Sequence, residues 1–276
     1  EDSLGFMWVG TGGGLNRFNA EHDTFERFVH DPDNPHSLSH NSISAIVEDP
    51  QGIIWIGTRG GGLNRFDHHS GIFSHFNTQN TNLHNGYVNA LHLDSTGLLW
   101  VGSDDGLAQF ERKGNTFKHY HHHANDPHSL SHNIVYSFLE DSQSQLWIGT
   151  QQGLNRFVRE SNQFIKRIES DKINAIFEDH TEVLWVGTAS QGLKRFNPAR
   201  DKFTRYHYDP SNPDSLSNDT VSCILEDPSA TLWVGTGGAA LNKYNHSSDR
   251  FTYYQHDPAN PNSLSFNWIR SIYTDQ

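Results

Sequence analysis

Hydrophobic positions in this chain come in short bursts at a fixed long period, with no stripe of helical spacing. The burst Trp-[Ile/Val]-Gly-[Thr/Ser] falls at Trp8, Trp55, Trp100, Trp147, Trp185 and Trp233, at spacings of 47, 45, 47, 38 and 48 residues. Each burst is followed by Leu-x-x-aromatic, beginning at Leu15, Leu63, Leu107, Leu154, Leu193 and Leu241. Before each of the last five tryptophans an apolar run ends in Asp, at Asp49, Asp94, Asp141, Asp179 and Asp227. Downstream, aromatic pairs such as Phe25/Phe28, Phe73/Phe76 and Phe251/Tyr254 mark one more strand, with Phe164/Ile168 as the irregular copy. β-branched and aromatic side chains pack well on a pleated surface. Four short strands per repeat of about 46 residues, six times over, predict an all-β, six-bladed β-propeller of four-stranded blades. Residues 1–276 are read as one such domain.

Glycines punctuate the pattern in two ways. Those between the Trp strand and the Leu strand, such as Gly60, Gly106 and Gly153, belong to hairpin turns. Those two residues after each Trp are expected to let neighbouring blades pack closely. The frame also predicts how the ring ends: Glu1-Asp2 aligns with Glu48-Asp49, and residues 269–275 align with 43–49. The expectation is closure, with residues 269–275 as the innermost strand beside the Trp8 strand, which removes an exposed edge. The fourth copy, with a Trp spacing of 38, is expected to carry the shortest connection.

Composition narrows the partners. Lys plus Arg number 20 against 32 Asp plus Glu, a net charge of −12, so no basic surface for nucleic acid is expected. Mean hydropathy is low, but aromatics at fixed intervals argue against disorder. Cys223 is the only cysteine, which excludes an intrachain disulfide and reads as core filler. No run approaches the roughly 18 apolar residues of a membrane helix, so no membrane contact is expected in this segment, which reads as an excised piece of a longer protein.

The phrases Leu146-Trp147-Ile148-Gly149-Thr150 and Gly153-Leu154-Asn155-Arg156-Phe157 come with an insert, Asp31-Pro32-Asp33-Asn34-Pro35-His36-Ser37-Leu38-Ser39. The insert recurs at residues 209–217 and 257–265, and shortened at 126–131. Together these resemble the two-component regulator propeller repeat over essentially the whole chain. The resemblance implies a bacterial sensor domain, usually periplasmic, joined through a membrane helix to a histidine kinase or a diguanylate cyclase. It also allows a homodimer through the parent receptor. Family members commonly have seven blades, often two propellers in tandem with a ligand site between them, and a following β-sandwich; six copies without a sandwich depart from that pattern.

Candidate chemistry is sought where the copies differ. The Asp before each Trp repeats in every copy and is read as turn-forming rather than catalytic. At the start of the inner strand the copies read Asn41, Gly86, Asn133, Asp171, Asp219 and Asn267; the next position carries Tyr87 and Trp268, aromatic faces suited to stacking on a sugar. Arg59, Asp105 and Gln152, in the turns after Gly-Thr or Gly-Ser, add nonrepeated polar groups. The candidate ligand-binding set is therefore Asn41, Arg59, Tyr87, Asp105, Asn133, Gln152, Asp171, Asp219, Asn267 and Trp268, with core packing as the plainer reading of the aromatics. Nineteen histidines raise the question of metal, but no ligand-spaced pair stands out on one element, so neither metal nor cofactor is expected. The leading function is non-catalytic sensing of a small molecule or carbohydrate fragment. The alternatives are a protein-interaction scaffold and an enzyme resembling the streptogramin lyases, which needs a His/Glu site with magnesium.

Overall fold

Short strands broken by Gly, Asn and Asp turns are what the computed structural model contains: among its described residues, 1–198 and 200–274, there are strands and turns and no helix. The chain divides into two compact units, Glu1–Tyr136 and Ser137–Gln276.

The first unit holds a three-stranded antiparallel sheet of β1 (Met7–Thr11), β2 (Gly14–Asn19) and β3 (Thr24–Phe28). Next comes a four-stranded sheet of β4 (Ile43–Glu48), β5 (Ile54–Thr58), β6 (Leu63–Asp67) and β7 (Ile72–Phe76). The third consists of β8 (Val88–Leu93), β9 (Leu99–Ser103), β10 (Gly106–Glu111) and β11 (Thr116–Tyr120). A fourth sheet opens with β12 (Val135–Glu140), where the two units divide, and continues with β13 (Leu146–Thr150), β14 (Gly153–Val158) and β15 (Gln163–Glu169).

The second unit then adds β16 (Ile173–Glu178), β17 (Leu184–Thr188), β18 (Leu193–Asn197) and β19 (Lys202–Tyr206) as a fifth sheet. The sixth comprises β20 (Val221–Glu226), β21 (Leu232–Thr236), β22 (Leu241–Asn245) and β23 (Arg250–Tyr254). Every sheet is a meander in chain order, with β-strands of 5–7 residues. Residues 170–172 are the whole connection from β15 to β16, against 207–220 from β19 to β20, so the fourth copy has the short link its Trp spacing predicts.

The expected closing strand is not found among the described residues. β1 pairs with β2 alone, the first sheet has three strands instead of four, and residues 269–274 form no strand; Asp275 lies outside the described residues. Ile269 does take the place that an inner strand's first residue takes against its neighbour: its N–H donates to Thr236 O at 3.2 Å, and its Cγ2 lies against Gly235.

That place exists because of the glycine two residues after Trp. A Cβ on Gly57 would meet Val88 Cγ1 at 2.6 Å, and one on Gly187 would meet Val221 Cγ1 at 2.5 Å. Real side chains do not approach so closely, so only glycine admits the β-branched residue that opens the next inner strand. Core clusters then form between successive sheets. Leu15, Leu38, Ile54, Ile56, Phe66 and Phe73 fill one in the first unit, and Trp185, Leu193, Leu216, Val221, Leu232 and Val234 fill one in the second. Leu38, Leu130 and Leu216, leucines of three of the four Ser-Leu-Ser inserts, are fully buried and anchor those loops, each burial worth about 1.5–3 kcal/mol.

The Asp before each Trp does more than shape a turn. Oδ1 of Asp49 accepts the N–H groups of Gln51 and Ile53, and Oδ2 accepts the indole N–H of Trp55 at 2.8 Å. The same indole bond, 2.7–2.8 Å, recurs from Trp8, Trp100, Trp147, Trp185 and Trp233. The Glu before Asp is likewise structural: Glu48 accepts from the N–H and hydroxyl of Ser3, Glu178 from those of Ser142, and Glu226 from the N–H of His180. Each links one sheet's turn to the next sheet's inner strand.

Candidate functional site

The insert loops are built from short-range side-chain bonds. In residues 29–42, Asp31 Oδ1 accepts Asp33 N–H at 3.0 Å and Asn34 Oδ1 accepts His36 N–H at 3.0 Å. Ser37 Oγ ties both ends, accepting from Asp31 N–H and donating to Asp31 O. Asn41 Oδ1 accepts His30 N–H at 2.7 Å, closing the base of the loop. Asn133 closes the next insert through His122 N–H at 2.6 Å.

In the second unit Asp219 and Asn267 accept from the N–H groups of Tyr208 and His256 at 2.8 and 2.6 Å. Four predicted ligand residues, Asn41, Asn133, Asp219 and Asn267, therefore use a side-chain oxygen as a loop clasp. Asp171, in the three-residue link from β15 to β16, is buried and accepts from Lys172 N–H and from Ser190. Gln152 N–H donates to Thr150 Oγ1 in its hairpin. Trp268 is 54% exposed with the Arg270 guanidinium 6.0 Å from its ring centre, so its face is not packed in a core.

The first unit assembles a different group. Arg59 and Tyr87 form an isolated β-bridge, and Asp104 N–H donates to Tyr87 O at 3.2 Å. Asn89 Nδ2 donates to Asp104 Oδ1 at 2.7 Å. Tyr136 belongs to the same set: burial pushes its phenol pKa up, the Asp104 carboxylate pushes it further, and Arg59 partly offsets both. Tyr87, 53% exposed, lines a groove of about 550 Å³ with His30, His75, Gln79 and His84.

Asn89 and Tyr136 escape a search of the inner-strand starts and of the turns after Gly-Thr or Gly-Ser, and Asp104 stands in such a turn beside the chosen Asp105; a signal for the first two exists in the sequence. Eleven residues before each Trp the copies read Ser44, Asn89, Tyr136, Asn174 and Ser222. In four copies this residue sits at a register shift, between Ile43 and Ala45 or Val88 and Ala90 for example, which turns its side chain out of the ladder. Ser44 and Asn174 use the freedom to donate to the next inner strand, at Val88 O and Val221 O. Asn89 instead donates to Asp104.

Histidines gather where no metal grouping was expected. His84, His119 and His121 each place one ring nitrogen within 4.8 Å of the other two, and Asp105 Oδ1 lies 4.0 Å from His121 Nδ1. Burial, helped by the neighbouring imidazoles, pulls the His119 pKa down against its bond to Asn82 O. His119 and His121 do stand at alternate positions of one chain segment, a ligand spacing on one face. His84 joins them only through the fold. A second grouping, Asp179, Glu226 and His246, has its carboxylates already bonded to Trp185, Thr181 and His180.

Four stretches, residues 37–60, 82–105, 129–152 and 215–238, match the family model of the two component regulator propeller. Three of them begin at the Ser of a Ser-Leu-Ser insert and all run through the Trp strand into the hairpin turn. The chain carries two-component regulator propeller repeats. Among solved structures, this repeat chain is similar to an extracellular domain attributed to the hybrid two component system BT3049 of B. thetaiotaomicron. That likeness has 20% identity and a TM-score of 0.64 over 91% of this chain and 45% of that one.

It is similar as well to the extracellular domain attributed to the one component system BT4673 of the same organism, at 19% identity and a TM-score of 0.69 over 98% and 41%. Virginiamycin B lyase from Staphylococcus aureus, at 12% identity and a TM-score of 0.66, is matched over 91% of this chain and 81% of its own. At these identities the likeness carries the fold, an all-β propeller whose six sheets are its blades. The repeat chain spans less than half the length of the two extracellular domains. No curated protein sequence matches it. Among the described residues no helix is long and apolar enough to cross a membrane.

Proposed function

We propose that this chain is a non-catalytic, ligand-sensing propeller module of a bacterial signal-transduction receptor, exposed to the periplasm, that recognises a small molecule or carbohydrate fragment. The regulator propeller repeats and the likeness to extracellular domains of two-component systems support the receptor context. The observation that carries the ligand reading is the Arg59, Tyr87, Asn89 and Asp104 group beside the groove of the first unit. An exposed aromatic face supplies contact area while a cation, an anion and an amide orient polar groups, the usual division in such sites. Arg59, Tyr87 and Asp104 have no counterpart of their own type in the other copies, as recognition of an asymmetric ligand requires. The repeated carboxylates, by contrast, are bonded to Trp indoles or to neighbouring turns and offer no free acid–base pair.

The test is a panel of soluble mono- and oligosaccharides screened by thermal shift and followed by calorimetry, with Tyr87→Ala and Arg59→Ala variants. Binding that falls at least tenfold in both variants while their melting curves hold supports the reading. A panel member that binds equally well to both variants would move the site elsewhere, and a panel without any binder counts against carbohydrate as the ligand class.

A further inference from the structure

Three imidazoles stack where the third sheet of the first unit begins and ends. His84 lies in the connection leading into β8; His119 is on β11 and His121 follows its last residue. The His84 and His119 rings are parallel within 3° at a centroid distance of 3.7 Å, and His121 stacks beside them at 5.5 and 6.0 Å.

The hydrogen bonding fixes the lone pair of one ring. His119 Nε2 lies 2.7 Å from the backbone oxygen of Asn82, which can only accept, so Nε2 carries the proton and Nδ1 is the nitrogen left to ligate. A histidine held by a carbonyl through its second nitrogen is the arrangement seen around metal-bound imidazoles. Asp105 Oδ1, 4.0 Å from His121 Nδ1, places a carboxylate beside the group that would balance the charge of an ion. The backbone behind His119 is held by the ladder, because β11 is in register with β10 from Glu111 to Leu107, with His119 opposite Ala108, and His121 follows the last paired residue, Tyr120.

The geometry points to a transition-metal site built by His84, His119 and His121, with Asp105 beside it, for a divalent ion of the zinc class. Imidazole nitrogen suits zinc, copper and nickel. Metal bonds of about 2.0–2.1 Å lie in each ring's plane, so the parallel His84 and His119 rings must leave their stack to share an ion, and His84, exposed on its loop, is the one that can turn. Three protein ligands leave a coordination position open. His84 also lines the groove beside Tyr87, so the ion would sit at that groove's edge. The inference does not depend on the ligand-sensing reading, since the metal can bind with no small molecule present.

The chain, expressed without a histidine tag and stripped with EDTA, is titrated with zinc chloride against a chromophoric chelator. One tight site per chain is expected, with X-ray absorption showing imidazole nitrogens around the ion. His84→Ala and His121→Ala should each weaken that site at least tenfold. His69→Ala and His128→Ala, at exposed positions elsewhere, should leave it unchanged. His119→Gln is followed by a melting curve as well, because it also removes the bond to Asn82. Equal zinc affinity in His84→Ala and His121→Ala, both shown folded by circular dichroism, would overturn the proposal. So would weak binding of several ions that every histidine variant reduces slightly, the signature of adventitious histidines only.

Discussion

The indole N–H of Trp185 donates to Oδ2 of Asp179 at 2.7 Å, while Oδ1 of the same carboxylate accepts from Thr181 and Val183 N–H and the Thr181 hydroxyl. Trp185 is fully buried, so this one aspartate fixes both the turn and the orientation of the largest core side chain in its sheet. A hydrogen bond to a charged group contributes about 1.5–3 kcal/mol. Trp185→Phe should lower the unfolding free energy by roughly that amount or somewhat more, because ring volume is also lost. Urea denaturation followed by circular dichroism checks it; a loss well under 1 kcal/mol would show that the indole bond carries little.

Acid should weaken the fold through the same carboxylates. Burial pushes the pKa values of Asp49 and Asp179 up, but bonds from Trp55, Ile53 and Arg112 in one case, and Thr181, Trp185 and Val183 in the other, outweigh it and hold both below the ordinary value. Groups depressed in the folded state contribute stability that is present above the unfolded pKa and is lost as pH falls through the folded one. The urea midpoint should therefore drop below about pH 4, the unfolded carboxylate range. Asp179→Asn, less stable at neutral pH, should show a shallower acid slope; an unchanged slope would assign the acid sensitivity to other groups.

Gly187 carries a packing prediction. Gly187→Ala would push a methyl against Val221 Cγ1 and should cost about 1–3 kcal/mol, the usual range for overpacking. Gly12→Ala, where an added Cβ meets nothing within 4 Å, should be nearly neutral. In a double-mutant cycle Val221→Ala should relieve part of the Gly187→Ala penalty. Strict additivity would deny the contact.

Asn133 and Tyr87 separate loop closure from recognition. Asn133→Ala removes the acceptor of His122 N–H and should speed hydrogen exchange at that amide while leaving other inserts protected. Tyr87→Ala should leave exchange at His122 unchanged and act only on ligand affinity. Mass-spectrometric exchange of both variants decides it, and unaltered exchange in Asn133→Ala would dismiss the clasp.

The period of Trp, Gly, Leu and Asp by itself determined the all-β class, the six copies and the short fourth link, because each of these depends on residues close in the chain, whereas the closing strand it predicted over residues 269–275 was not found among the described residues. The glycine that receives Val88 or Val221 was also legible, since it stands two residues after Trp in every copy. The Asp–Trp bond was visible only as a constant spacing, without its chemistry. What only the tertiary structure decided were meetings of residues that no period relates: Asn41 and Asn133 as clasps on backbone amides, Asp104 and Asn89 beside Arg59, and His84 stacked on His119. A repeat fixes what all copies share. A site is made of the departures, and which departures face one another depends on loop paths and register shifts that hydrophobic spacing does not encode.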